Sequence, residues 1–225
     1  MTLLYPLFVN LHGKSILVAG AGSIGQRKIA GLSSADPRCI MVVDPCLSPE
    51  RIAELKKFGP VDCHARAFAP QDVYKKFLVF AATNDRAVNA KIAALCREQG
   101  ILCNSADAPD EGSFIVPALF MNNGITVALS TGGHSPALAR LLREDLEAFV
   151  GKRYTHLLQV LSRLRPLLFS LGLPTQENTA VLRALAHSPL AGQLECGDRA
   201  GAEATLSRLL PEPLLDRVGE ILHGY

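Results

Sequence analysis

The residues able to do chemistry in this chain begin with "AGAGSIG". It sets Gly20, Gly22 and Gly25 in the spacing G-x-G-x-x-G, directly after the apolar run "SILVAG" and directly before a helical pattern. In that context the first glycine allows a tight turn, the second lets backbone approach a pyrophosphate, and the third permits close helix packing. Ser23 and Ile24 then open the helix, whose free N–H groups suit phosphate oxygens. Asp44 closes the next apolar run, 24 residues after Gly20. A carboxylate there can hydrogen-bond both ribose hydroxyls and repel a 2′-phosphate, which favours NAD over NADP. The pair Asp44-Pro45 is also an ordinary way to start a turn. "AATND" places Thr83 and Asn84 across the same crevice, while Asn89 reads as a residue serving the helix that follows. A second carboxylate, Asp107, lies in "CNSADAPDEGSF" (Cys103 to Phe114), after another apolar run. Its residue type allows a turn acid, a helix cap or a proton acceptor, and the local sequence alone favours the first two. Asp110 and Glu111 read only as turn or cap residues.

These groups need a scaffold, and the chain supplies one in alternating signals. Short apolar runs at Ser15 to Gly20, Cys39 to Asp44, Phe77 to Thr83 and Ile101 to Ala106 read as buried parallel strands. Helical patterns over Ser23 to Ser34, Pro49 to Phe58 and Ala87 to Gln99 alternate with them, the last stopped by Gly100. The rhythm predicts an α/β fold with a Rossmann-type, doubly wound parallel sheet. After about residue 113 the pattern changes. "SFIVPALFMNNGITVALST" predicts two strands about Asn122-Asn123-Gly124, an Asn-Gly hairpin. A helix follows from Pro136, and the leucine-rich text from Gly151 predicts further helices, the last near Pro213 to His223. The expected organisation is a dinucleotide-binding domain over 1–113, a hairpin and helix segment over 114–150, and a helical domain over 151–225.

Composition excludes several classes. With 48% hydrophobic and 20% charged residues among 225, the chain is an ordinary globular protein. A formal net charge of +2, no tryptophan and few aromatics argue against a nucleic-acid partner. No apolar stretch approaches the roughly 20 residues that span a bilayer, and the N-terminus lacks the marks of a signal peptide. Six cysteines without a C-x-x-C pair read as reduced thiols of a cytoplasmic protein. The six histidines, His134 in a glycine pair's loop included, form no ligand spacing, so no resident metal is expected. Lys28 reads as solvated.

"YPLFVNLHGKSILVAGAGSIGQRKIAGL", "FAATNDRAVN", "CNSADAP", "SFIVPA" and "STGGHSPALARLLRE" follow one another in this order. Together they resemble the precorrin-2 dehydrogenase family, the module found alone or at the N-terminus of sirohaem synthases. The resemblance covers roughly residues 1–150 and weakens to a helical tail beyond. It implies NAD-dependent oxidation of precorrin-2 to sirohydrochlorin, and in some members insertion of Fe²⁺ to give sirohaem. It implies a homodimer whose segment after the Rossmann unit interlocks between subunits. The family's essential aspartate, in its D-A-P motif, falls on Asp107 and turns that residue's reading toward a general base. The cavity-lining hydroxyl before the paired glycines falls on Thr131, where some relatives carry a phosphorylatable serine.

A substrate with eight carboxylates needs anion-binding groups. Gly132 and Gly133 offer backbone N–H groups, Thr131 and Ser135 hydroxyls, and Arg140 and Arg143 cations. Arg143 also stands at the helical spacing to pair with Glu147. Ser113 and Phe114 are expected beside the macrocycle, with Phe114 equally suited to a core. A different class, an NAD-sensing regulatory module of the potassium-transport type, shares the glycine loop and ribose acid but lacks the D-A-P and S-T-G-G segments.

Overall fold

Apolar runs of four or five residues, punctuated by glycine, proline and aspartate, pair side by side with their neighbours. The computed structural model describes residues 4–225. In it β1 (Ser15–Ala19), β2 (Cys39–Val43), β3 (Val61–His64), β4 (Leu78–Ala81) and β5 (Leu102–Ser105) form a parallel sheet in the order β3-β2-β1-β4-β5. Helix α1 (Ser23–Ser33) joins β1 to β2, α2 (Pro49–Lys56) joins β2 to β3, and α3 (Arg86–Glu98) joins β4 to β5. Alternate residues of each strand feed opposite cores. Ile16 and Val18 pack with Ile40, Val42 and Phe80, whereas Leu17 and Ala19 pack with Val43, Val79 and Ile92. Burial on both faces explains why these strands read as unbroken apolar runs.

β3 carries no apolar run that reads as a strand. "VDCH" is four residues long, and only Val61 is buried, because the strand sits at the sheet edge with one partner. After β3, the 3₁₀ turn Pro70–Val73 carries the buried Asp72. Its carboxylate accepts a two-pronged pair from Arg66 at 2.7 and 2.8 Å and the Ala69 N–H at 2.8 Å.

The chain divides into two compact units after Val116. In the second, β6 (Ala118–Asn122) and β7 (Ile125–Leu129) pair antiparallel. Asn123 and Gly124 both adopt positive φ, 43° and 92°, which matches the twist of a two-residue hairpin turn. Helix α4 (Pro136–Ser170) is interrupted at Gly151, whose φ of 38° and ψ of −150° lie outside the helical region. Helices α5 (Thr175–Ala186), α6 (Leu190–Cys196), α7 (Arg199–Leu209) and α8 (Val218–Ile221) complete the unit around Leu157, Leu164, Leu168, Leu185, Leu206 and Ile221. The final helix expected over 213–223 is instead a 3₁₀ segment, Glu212–Arg217, running into α8. Pro211 and Pro213 bracket its start and remove two backbone donors.

All six cysteines are free thiols; Cys96 and Cys103 are buried, Cys46 and Cys196 exposed. Among the described residues no helix is long and apolar enough to cross a membrane.

Candidate active site

The glycine loop joins β1 to α1 under two steric constraints. Gly20 has φ of 95°, and a Cβ there would fall 2.3 Å from the Ala82 carbonyl oxygen on the neighbouring strand's end. A Cβ on Gly25 would fall 2.0 Å from the Gly20 carbonyl oxygen, inside the turn itself. Gly22 differs, since a Cβ there would meet no protein atom within 4 Å. Protein packing therefore leaves Gly22 free to be any residue, and closeness to something outside the protein is what a glycine supplies there. Helix α1 starts beside it with no side-chain cap and no acidic residue in its first turn. The leading N–H groups, Ser23 and Ile24 among them, have no acceptor within the helix. An open glycine, uncapped N–H groups and a positive helix end fit a dinucleotide's pyrophosphate.

Asp44 starts the turn that its sequence allowed and also ties the glycine loop to β2. One carboxylate oxygen accepts the Ala21 N–H of the glycine loop at 2.7 Å. The other accepts the Cys46 N–H at 2.7 Å, closing a turn through the exposed Pro45. The acid thus locks the loop to the end of β2 and keeps lone pairs for ribose hydroxyls.

Beyond β4, Thr83 and Asn84 lie beside this loop, because β1 and β4 are hydrogen-bonded neighbours. Asn89 fixes them. This buried side chain accepts the Thr83 N–H at 3.1 Å and its hydroxyl at 2.7 Å, and donates to the Thr83 carbonyl at 3.0 Å. Sequence reading assigned Asn89 to its own helix; its bonds run to the loop instead. Asp85 supplies the α3 cap, accepting the Ala87 and Val88 N–H groups.

Asp107 follows β5, which pairs with β4, so the loops after β1, β4 and β5 stand in a row at the carboxyl ends of the strands. Ser105, buried at the end of β5, donates to Asp107 at 3.0 Å. Burial raises the Asp107 carboxyl pKa, but hydrogen bonds from Asn89, Ser105 and its own N–H, with the Arg86 charge, outweigh it and hold the group below the usual carboxylate range. The Arg86 guanidinium lies 3.7 Å from the Asp107 carboxylate and bonds Glu111 with two nitrogens, one at 2.8 Å. In the sequence Arg86 carries no signal and Glu111 reads as a turn residue; the pair forms only once α3 and the loop after β5 are brought together.

Ser113 and Phe114 are both tied into the scaffold. Ser113 Oγ accepts the Cys103 N–H at 2.8 Å, extending the β5 edge. Phe114 packs edge-on against Phe80, with ring centroids 5.5 Å apart. Gly112 lets this return strand close in, since a Cβ there would sit 2.9 Å from the Cys103 carbonyl oxygen. Lys28, read as solvated, is half-buried on α1 with Nζ 5.9 Å from the Phe80 ring centroid; burial lowers its pKa, with Arg27 adding to the effect.

In the second unit, the loop before α4 is stitched to itself. Thr131 Oγ1 donates to the Ser135 carbonyl at 3.1 Å and accepts the Ser135 N–H at 3.3 Å. Ser135 caps α4 through the Leu138 N–H, and Gly132 and Gly133 take positive φ, 64° and 83°. Arg140 bonds Glu144, and Arg143 bonds Glu147 and Glu144, so on this helix both cations have intrahelical carboxylate partners. Among the described residues no three His, Cys, Asp or Glu side chains gather as a metal site.

A five-stranded parallel sheet with a glycine loop, a ribose-side acid and an uncapped helix start defines a Rossmann-type dinucleotide-binding protein. Comparison with known proteins sharpens this. Residues 7–118 match the model of an NAD(P)-binding family, and residues 122–148 that of the central segment of sirohaem biosynthesis proteins. The chain is 33% identical over 221 residues to siroheme synthase 2 of Yersinia enterocolitica, covering 98% of this chain and 46% of that one. It is 36% identical over 206 residues to the siroheme synthase of Nitrosomonas europaea, covering 91% and 43%. A solved structure of SirC, a precorrin-2 dehydrogenase, aligns with a TM-score of 0.76 at 29% identity over 92% of this chain and 98% of that one. The chain belongs to the family that holds these siroheme synthases and SirC, the precorrin-2 dehydrogenase. It spans about half the length of the siroheme synthases it matches.

Proposed function

We propose that this chain catalyses NAD-dependent dehydrogenation of precorrin-2 to sirohydrochlorin. The observation that carries the reading is the row of loops at the carboxyl ends of the strands: the glycine loop, the Thr83–Asn84 loop and Asp107 follow three adjacent strands. Dinucleotides bind at these ends in open α/β sheets. NAD⁺ held there supplies a hydride acceptor. Gly20, Gly22, Ser23, Ile24 and Gly25 cradle its pyrophosphate, Asp44 with Pro45 its ribose, and Thr83 and Asn84 its far half. Asp107, ionised at neutral pH, accepts the proton that the macrocycle loses as the hydride departs.

Thr131, Gly132, Gly133 and Ser135 serve the tetrapyrrole side, and Ser113 and Phe114 support Asp107 from the other side of its loop. Arg140 and Arg143 contribute positive potential to bind propionates only by exchanging their Glu partners. Fe²⁺ enters as a substrate in family members that chelate, and Asp107 can take a pyrrole proton in that step. The working form is a homodimer in the cytoplasm. Leu119 and Met121 on β6, with Leu138, Leu141, Leu142 and Phe149 on α4, expose large apolar side chains that support a second copy as partner. The potassium-transport reading lacks any use for Asp107 and its bonded neighbours.

The test is anaerobic incubation of the full chain with precorrin-2 and NAD⁺, following NADH and sirohydrochlorin absorbance. Turnover that Asp107→Asn removes, with NAD⁺ affinity kept, is the expected result. Turnover undiminished in Asp107→Asn overturns the assignment of the base; NAD⁺ binding without any turnover favours a sensing module.

A further inference from the structure

Asp107 and Glu111 share one cation, Arg86. The guanidinium leaves the first turn of α3, lies 3.7 Å from the Asp107 carboxylate, and grips Glu111 with both terminal nitrogens. Glu111 is itself held in place. Arg97, later on α3, donates to its backbone carbonyl at 3.2 Å, and its N–H donates to the Ala108 carbonyl at 3.0 Å. The loop after β5 is therefore docked on α3 at both ends of a short turn, with the arginine between two carboxylates. Other groups facing Asp107 are the neutral Ser105 and Asn89. Such an arrangement carries one net negative charge. The cation is divided, so Asp107 feels only part of it.

We propose that Arg86 is a positioning residue for the dehydrogenation: it holds the Asp107 carboxylate ionised and aimed, while Glu111 draws the guanidinium aside so that Asp107 keeps its basicity. This rests on Asp107 being the general base proposed above. Two opposite consequences follow. Without Arg86, two carboxylates face each other with no cation between them, and Asp107 keeps its proton to higher pH. Without the Glu111 charge, Arg86 pairs with Asp107 alone, and Asp107 gives up its proton at lower pH but becomes a weaker base. A residue that merely stiffens the loop would lower activity at every pH and move neither limb.

The experiment is the pH dependence of kcat/KM for precorrin-2 in the full chain, comparing wild type with Arg86→Met, Arg86→Lys, Glu111→Gln and Asp107→Asn. The acid limb is expected to rise by about one pH unit in Arg86→Met, to stay near wild type in Arg86→Lys, and to fall in Glu111→Gln. A limb that stays put in both Arg86→Met and Glu111→Gln, with Asp107→Asn inactive, overturns this inference alone. Asp107→Asn retaining turnover overturns the base assignment and this inference with it. If Arg86→Met does not fold, titration of the ¹³C-labelled Asp107 carboxyl in Glu111→Gln and wild type reads the same displacement. Identical titrations there overturn the proposal.

Discussion

The Asp44 carboxylate reaches from the end of β2 to the Ala21 amide at 2.7 Å, so the acid proposed for the ribose also fixes the turn proposed for the pyrophosphate. Replacing it disturbs both halves of the cofactor site at once. Asp44→Asn keeps the shape, loses the charge, and retains one carbonyl oxygen for two N–H groups. NAD⁺ affinity is expected to fall about tenfold or more, the worth of one charged hydrogen bond, and preference over NADP⁺ to narrow. Calorimetric titration with each cofactor checks it. Unchanged affinity for both would remove Asp44 from the site.

Gly22 and Gly25 separate binding from folding. Gly22→Ala adds a methyl where no protein atom lies within 4 Å, so the unfolding midpoint should stay near wild type while NAD⁺ binding weakens. Gly25→Ala drives a methyl to 2.0 Å from the Gly20 carbonyl oxygen, and overpacking of that kind costs about 1–3 kcal/mol or more. Urea melts of the two variants, with and without NAD⁺, give the comparison. Equal destabilisation in both would mean that Gly22 has a packing role after all.

Asp72 makes stability depend on acid pH. Burial raises its carboxyl pKa, yet the Arg66 pair and the Ala69 N–H overcome this and hold it below the usual range. A depressed carboxyl stabilises the fold above its unfolded pKa, and the contribution is lost as pH falls through the folded value. Asp72→Asn should cost about 2–3 kcal/mol at neutral pH and less as the pH is lowered below the normal carboxylate range. Thermal melts from neutral to strongly acid pH, run on wild type and variant together, would show the two curves converging. A constant gap would assign the effect to packing.

Leu141 on α4, exposed in the single chain, tests the proposed homodimer. A buried charge at the centre of an apolar interface is costly. Leu141→Glu is expected to convert a dimer into monomers in sedimentation velocity, with the melting curve of each subunit's Rossmann unit preserved. A wild-type chain that sediments as a monomer at micromolar concentration would end the dimer proposal.

The strands that flank the glycine loop were legible because burial on both sheet faces demands unbroken apolar runs, and the hairpin because Asn123-Gly124 suits two positive φ angles. β3 was not, since an edge strand of four residues with one buried side chain leaves no such run. Of the candidate site, the close approaches that require Gly20 and Gly25 could be read from spacing. Asn89 could not, because nothing in its type says that its amide turns back to Thr83 in the loop before its helix, and the Arg86–Glu111 pair could not, because its partners lie on α3 and on the loop after β5. Arg143 shows the opposite limit: helical spacing alone named its Glu147 partner.

Cys46 and Cys196, the two exposed thiols, fall one in each compact unit. Burial pushes the Cys39 and Cys63 thiols up, and Cys96 is raised by its bond to Cys103; that bond lowers the Cys103 thiol, but Cys96 and Cys103 are both buried away from reagent. The wild-type chain therefore carries a natural pair of labelling handles. A maleimide probe would then report on each unit separately, without engineering a single residue.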